Sequence, residues 1–162
     1  MTRISILFVA VALVTACKKK DDSGVSPAEK PTAAQTAGPT QLPKLGLSID
    51  VPGKVEVGDA IMGEGHMLQG TGVGAMTVEA EDKPQTLDEA KADADMYSPK
   101  NLVDEKLADG WALTFDNTGS MGKNYFVQVQ RELGGKTYSC STTGSDAKQA
   151  AAVLAACKTL RP

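Results

Sequence analysis

Residues 101–143 constrain the fold of this chain more than any other stretch, because apolar segments of strand length follow one another there with only short turns between them. Asp109-Gly110 separates segment 102–107 from 111–115. Asp116-Asn117-Thr118-Gly119 then leads into 125–131, and Gly134-Gly135 has the chemistry of a type I′ turn into 137–142. Such spacing predicts an antiparallel meander. Trp111, Leu113 and Phe115, then Tyr125, Val127 and Val129, then Tyr138 and Cys140 are expected to share its core face.

A helix is expected to close the chain, capped by Ser145 or Asp146 and running through an Ala-rich segment to about Leu160. Val153, Leu154, Cys157 and Leu160 fall on one stripe of it, so Cys157 faces the sheet from which Cys140 points. A disulfide between Cys140 and Cys157 is expected. The alternatives are two free thiols or a metal pair, the latter lacking further ligands.

Upstream, Leu45, Leu47, Ile49 and Val51 alternate with Gly46, Ser48 and Asp50, the pattern of a half-buried strand, which Pro52-Gly53 ends. Val55, Val57 and then Ile61 and Met62 suggest a second strand. Gly63-Glu64-Gly65 turns the chain into 66–69, and Met76, Val78 and Ala80 alternate again before Lys83-Pro84. Thr86-Leu87-Asp88-Glu89 has the spacing of a capping box, predicting a helix to about Tyr97 with Leu87, Ala90, Ala94 and Tyr97 as its apolar stripe. Ser98-Pro99 breaks that helix. The expected class is α+β, an antiparallel sheet flanked by helices around a single core.

The N-terminus carries a different signal. Arg3 precedes an apolar run, residues 4–13, that no charged residue interrupts and that as a helix would rise about 15 Å, half a bilayer core. This is the layout of a secretory leader rather than of a membrane span. The ending Val14-Thr15-Ala16-Cys17 resembles the lipobox of bacterial lipoproteins. That resemblance implies cleavage after residue 16 and acylation of Cys17 by two or more chains, including a fatty acyl group such as palmitate, which anchors stably where a single chain would not. Lys18 follows the Cys in place of the Asp that retains many lipoproteins in the inner membrane, so the outer membrane is the expected site.

Cleavage would leave 146 residues, one domain with a tail. Residues 17–43, the lipidated Cys and a stretch rich in Lys, Asp, Ser, Pro, Thr and Ala, read as a disordered tether with a reach of roughly 30 Å. Residues 44–162 form the expected globular domain. It holds 12 Lys and Arg against 17 Asp and Glu, a balance of −5, which disfavours a nucleic-acid partner. With Cys17 assigned to the lipobox, two of the three Cys remain, an even pair for an oxidising compartment.

Strands first, a helix crossover, a meander and a closing helix, with Leu47-Ser48-Ile49-Asp50-Val51-Pro52 and Tyr125-Phe126-Val127-Gln128-Val129, resemble the Mog1/PsbP-like group over residues 44–162. The resemblance implies a sandwich fold and a binding or accessory role, since that group includes a Ran-interacting protein, extrinsic photosystem subunits and many bacterial lipoproteins. It carries over no functional residue.

Candidate chemistry is sparse. His66 is the only His and has no Gly-x-Ser-x-Gly or triad spacing around it, so it reads as a strand residue beside a Gly-rich turn. Met62, His66, Met67 and Met76 could make a soft Cu(I) site, although Met on strands more often fills core. Gly70-Thr71-Gly72-Val73-Gly74 lacks the Lys-Ser/Thr of a phosphate loop and reads as a turn or bulge. Glu79, Glu81, Asp82, Asp88, Glu89, Asp93 and Asp95 do not fit an EF-hand and read as a solvated face. The expectation is a non-enzymatic, lipid-anchored envelope module without cofactor or metal, touching the membrane through its anchor and binding an envelope protein. A small-ligand or metal-binding periplasmic lipoprotein is the alternative.

Overall fold

The computed structural model describes residues 38–162. The expected leader, Cys17 and the expected tether as far as residue 37 lie outside the described residues. The first element is a small hairpin, β1 (Thr40–Leu42) with β2 (Leu47–Ile49), closed by the turn 43–46. Thr40 and Leu42, which precede Lys44, also belong to the packed structure, since they are buried and pair with Ile49 and Leu47. Leu45 and Gly46 belong to the turn, which cuts the expected strand 45–51 to three residues.

Seven further strands follow: β3 (Val55–Asp59), β4 (Gly65–Gly70), β5 (Gly74–Glu81), β6 (Lys100–Leu107), β7 (Gly110–Gly119), β8 (Gly122–Leu133) and β9 (Lys136–Gly144). They build one antiparallel sheet in the order β3-β4-β5-β9-β8-β7-β6. Ile61 and Met62 are not strand residues but the exposed tip of the β3-β4 hairpin. The expected meander is β6 to β9, and Gly134 and Gly135 both take the positive φ that a type I′ turn requires, +63° and +76°.

Helix α1 (Leu87–Asp95) joins β5 to β6, and helix α2 (Ala147–Cys157) ends the fold. The capping box at Thr86 is complete: its hydroxyl oxygen accepts from the Glu89 N–H, and the Glu89 carboxylate accepts from the Thr86 N–H at 2.7 Å. Asp146 caps α2 by accepting from the N–H groups of Lys148 and Gln149. The fold is thus α+β, with two helices flanking a large antiparallel sheet.

Trp111, Leu113 and Phe115 do not share a face with Val127, Val129 and Cys140. Two residues, Ser120 and Met121, separate Gly119 from its partner Gly122, so an odd-numbered residue of β7 pairs with an even-numbered residue of β8. Trp111 faces Gln130, and Phe115 faces Phe126, their rings stacked at 4.4 Å. A one-residue change of register exchanges the two faces of a sheet.

Two cores result where one was expected. Leu68, Met76, Val78, Val127, Val129 and Cys140 pack against α2 and the β1-β2 hairpin on one face. Leu113, Phe115, Ala90 and Ala94 form the second, under α1.

Cys140 and Cys157 are joined by a disulfide, with their Cα atoms 5.7 Å apart. Beside it, Arg131 Nη1 donates to the Lys158 carbonyl at 2.7 Å, capping the last turn of α2, while its Nε and Nη2 hold both oxygens of Asp109. Arg131 keeps the Asp109 carboxyl below the ordinary aspartate range. Reducing the disulfide, whose cysteines lie 17 residues apart, is expected to lower unfolding free energy by about 3 kcal/mol in urea titrations. Arg131→Met should cost about 2 kcal/mol by the same measurement, since it strands both a carboxylate and helix carbonyls.

Candidate functional site

Helix α1 has nine residues and is about 14 Å long, whereas seven strands at normal spacing span about 29 Å. It lies over β7 at one side of its face and leaves the centre open. Side chains that alternate with the α2-side core line this opening: Glu79 and Glu81 on β5, Ser139 and Ser141 on β9, and Gln128 and Gln130 on β8. Trp111, Gln85 and Lys83 wall the side nearest α1, and the groove so formed has a volume of about 330 Å³.

Gln130 anchors one end of it. Its side-chain amide pairs with the Gln85 backbone, Oε1 accepting from N–H at 3.1 Å and Nε2 donating to the carbonyl at 2.9 Å. Trp111 Nε1 donates to the same carbonyl at 3.2 Å, and Gln85 Nε2 donates to Asp93 on α1 at 2.7 Å. The segment entering α1 is therefore fixed by three side-chain donors. Gln128 Oε1, shielded from solvent, has no hydrogen-bond partner.

The turn Gly63-Glu64-Gly65 makes room for Glu79. A Cβ on Gly65 would lie 2.2 Å from the Val78 carbonyl and 2.8 Å from Glu79 Cγ, and one on Gly63 would sit 3.0 Å from Glu79 Oε1. Held there, the Glu79 carboxyl is pushed above the ordinary glutamate range, first by burial and then by the charge of Glu81. None of the six ion pairs among the described residues involves Glu79, Glu81 or Lys83.

A second, more apolar cavity of about 280 Å³ lies between the start of α2 and β7-β8. Its one carboxylate, Asp116, is already held by Asn101 Nδ2 at 2.8 Å and Lys123 Nζ at 3.1 Å, and both lower its pKa, Asn101 the more. Asn101 adopts φ +51° to reach it. This is a locked polar cluster rather than an open one.

The residues singled out in the sequence are dispersed. His66 is buried on the α2 face, its Nε2 accepting from the Lys44 N–H at 3.1 Å, which requires Nδ1 to be the nitrogen that donates to the Gly58 carbonyl. Both ring nitrogens are thus used to hold the β1-β2 turn to β3 and β4. Met76 shares that face, Met67 lies on the opposite one, and Met62 is exposed on a hairpin tip, so the four do not form a soft metal site. Among the described residues no group of three or more His, Cys, Asp or Glu is placed to hold a metal ion. The Gly70–Gly74 stretch is the β4-β5 turn, with Val73 tucked into the core.

Of the acidic run, Asp88, Glu89, Asp93 and Asp95 are exposed as expected, but Glu79 and Glu81 are half-buried in the groove. The polar alternation Gln128/Gln130 and Ser139/Ser141 was the available signal for that groove. It marks an uncovered sheet face once the parity of the β7-β8 turn is respected.

Gly65→Ala is expected to destabilise the fold by about 1–3 kcal/mol in chemical denaturation, because its new Cβ meets backbone. The raised Glu79 pKa gives a pH signature. Below the glutamate range both folded and unfolded chains hold this proton, and as pH rises the unfolded chain releases it first, so ionisation costs stability up to and beyond the folded pKa. Glu79→Gln should therefore raise the thermal midpoint at about pH 7 and leave it unchanged at about pH 3.5.

No protein-family model matches this chain, and no curated protein is significantly similar to it.

Proposed function

We propose that this chain is a lipid-anchored lipoprotein of the bacterial cell envelope whose globular part is a non-enzymatic module binding another envelope protein through the open sheet face. The observation that carries the binding role is the half-covered sheet: its exposed centre presents polar side chains and one aromatic ring around a groove, while the opposite face is spent on packing. Clefts with a few convergent polar groups are where recognition is concentrated. The sheet between two helices supports the Mog1/PsbP-like reading, and with it an accessory role. Val14-Thr15-Ala16-Cys17 supports the anchor, and Lys18 after it the outer membrane, with the module on the periplasmic side or the surface. The Cys140–Cys157 disulfide is in keeping with an oxidising compartment.

Expression of the full chain in a Gram-negative host tests the anchor. Its intact mass should match an acylated chain beginning at Cys17, in the outer-membrane fraction, and Cys17→Ala should release an unacylated chain from that fraction. A soluble, unacylated parent chain would remove the anchor from this reading. Photocrosslinkers placed at Gln128 and, as a control, at Ala155 on the exposed side of α2 test the surface in cells. A discrete adduct is expected only at Gln128, and equal labelling at both positions would count against the groove.

A further inference from the structure

We propose that the tip of the β3-β4 hairpin, Ile61 and Met62, contacts the membrane, its two side chains entering the apolar boundary of the bilayer that holds the anchor. The inference rests on the proposed lipid anchor and does not need the open sheet face to bind a partner.

Ile61 and Met62 are neighbours in sequence, and their relative exposures are 82% and 79%. Single exposed apolar side chains are ordinary on a protein surface, but two large ones side by side at the end of a hairpin make a continuous apolar point. The point is firmly mounted. The Ala60 N–H donates to the Gly65 carbonyl at 3.2 Å, closing the tip, and the Ala80 N–H donates to the Glu64 carbonyl at 2.9 Å, fixing its base to β5. Little ordering is left for a surface that covers it to impose.

Where the chain enters the domain indicates what that surface is. The described residues begin at Gly38, and β1 is the first element they form. The turn after β1 is fastened to the base of the same hairpin: Lys44 Nζ pairs with Asp59, two residues before Ile61, at 2.8 Å, and the Lys44 N–H donates to His66 on β4 at 3.1 Å. Thr40 is four residues from Lys44, a span of at most about 14 Å. A chain held at Cys17 is therefore attached to the domain at the corner that carries the tip. Met121, almost wholly exposed, sits in the β7-β8 turn at the other end of the sheet, since β8 runs from that turn through twelve residues, roughly 36 Å, to the end where β5 meets the tip.

The charges around the tip select an apolar contact over an electrostatic one. Lys44 is committed to Asp59, while Glu64, exposed beside the tip, has no ion-pair partner among the described residues. A surface drawn to anionic headgroups would present free lysines instead. Glu64 stays at the headgroup level, and Ile61 and Met62 alone pass it, to a depth of about 5–10 Å. Two side chains bind a bilayer weakly by themselves, but an anchored chain meets the bilayer at high effective concentration, so the tip needs only to orient the domain.

Ile61→Trp and, as the control at the far end of the sheet, Met121→Trp are introduced separately into the full chain, with the unsubstituted chain supplying the Trp111 background. Each is placed in vesicles of phosphatidylethanolamine and phosphatidylcholine, the latter with brominated acyl chains, a quencher confined to the bilayer. The native acyl chains attach the protein; a chain that proves unacylated is attached by coupling the Cys17 thiol to a maleimide lipid. Intact mass thus reads the anchor and quenching reads the tip, each separately.

Quenching about threefold stronger at residue 61 than at 121, with blue-shifted emission and no change between low and high salt, is expected. Adding Met62→Asp to the Ile61→Trp chain should remove most of that quenching and leave thermal unfolding unchanged, because the tip packs against nothing in the fold. Equal quenching at the two positions, or quenching that high salt abolishes, would overturn the inference. Blue-shifted emission at residue 61 without bromine quenching would overturn it too, by assigning the tip to a protein surface.

Discussion

Strand β9 is the only strand hydrogen-bonded to both halves of the sheet, to β5 along one edge and to β8 along the other. Cys140 lies between Val78 and Val129 in its middle, and its sulfur crosses to Cys157 on α2. The pairing of β5 with β9 is the most demanding contact in the sheet, because Val78 and Cys140 are far apart in sequence and their union must offset a long loop closure. Joining α2 to β9 covalently means that the strand completing the sheet is held to the helix that covers it.

Other ties converge on the same face. Arg131 joins Asp109 to the last turn of α2, and Arg161 grips both oxygens of Asp50 while pairing backbone to backbone with Ser48. His66 binds the β1-β2 turn to β3 and β4. Each is a directional contact added to the apolar core of that face, and each fixes a piece of chain that lies outside the sheet. The α1 face has little of this: a four-residue apolar cluster, the Lys91–Asp104 pair and the Gln85 knot.

Local chemistry was legible in the residues, and relative placement was not. The capping box at Thr86, the Asp146 cap, the Gly134-Gly135 turn and the alternation in each of β5, β7, β8 and β9 are properties of contiguous sequence, and the structure carries each of them. Cys140 and Cys157 could be paired because one alternates with Tyr138 on a strand and the other recurs with Val153 on a helix. Trp111 was misplaced because facing in a sheet depends on the number of turn residues between strands, and Asp116-Asn117-Thr118-Gly119 reads as a loop when those residues in fact continue β7. Thr40–Leu42 is indistinguishable in sequence from the stretch before it, since three residues carry no period, and only pairing with β2 identifies them as a strand. The groove was hidden for the same reason, as its members come from four strands and a loop that touch only in the folded sheet.

The two faces answer different physical demands. A fully covered sheet would be more stable, because a longer α1 could bury the centre of its face and replace Glu79, Glu81 and Gln128 with apolar contacts. Instead the chain keeps a carboxyl whose ionised form is opposed by burial and by its neighbour, and an amide oxygen with no partner. Two glycine positions of one turn, Gly63 and Gly65, are committed to giving Glu79 its place. Costs of that kind persist when the rest of the fold over-determines the structure. Here the disulfide, the Arg131 cap and the Arg161 clamp supply that surplus from the opposite face, so the open face can hold unmet hydrogen-bonding capacity without losing its shape.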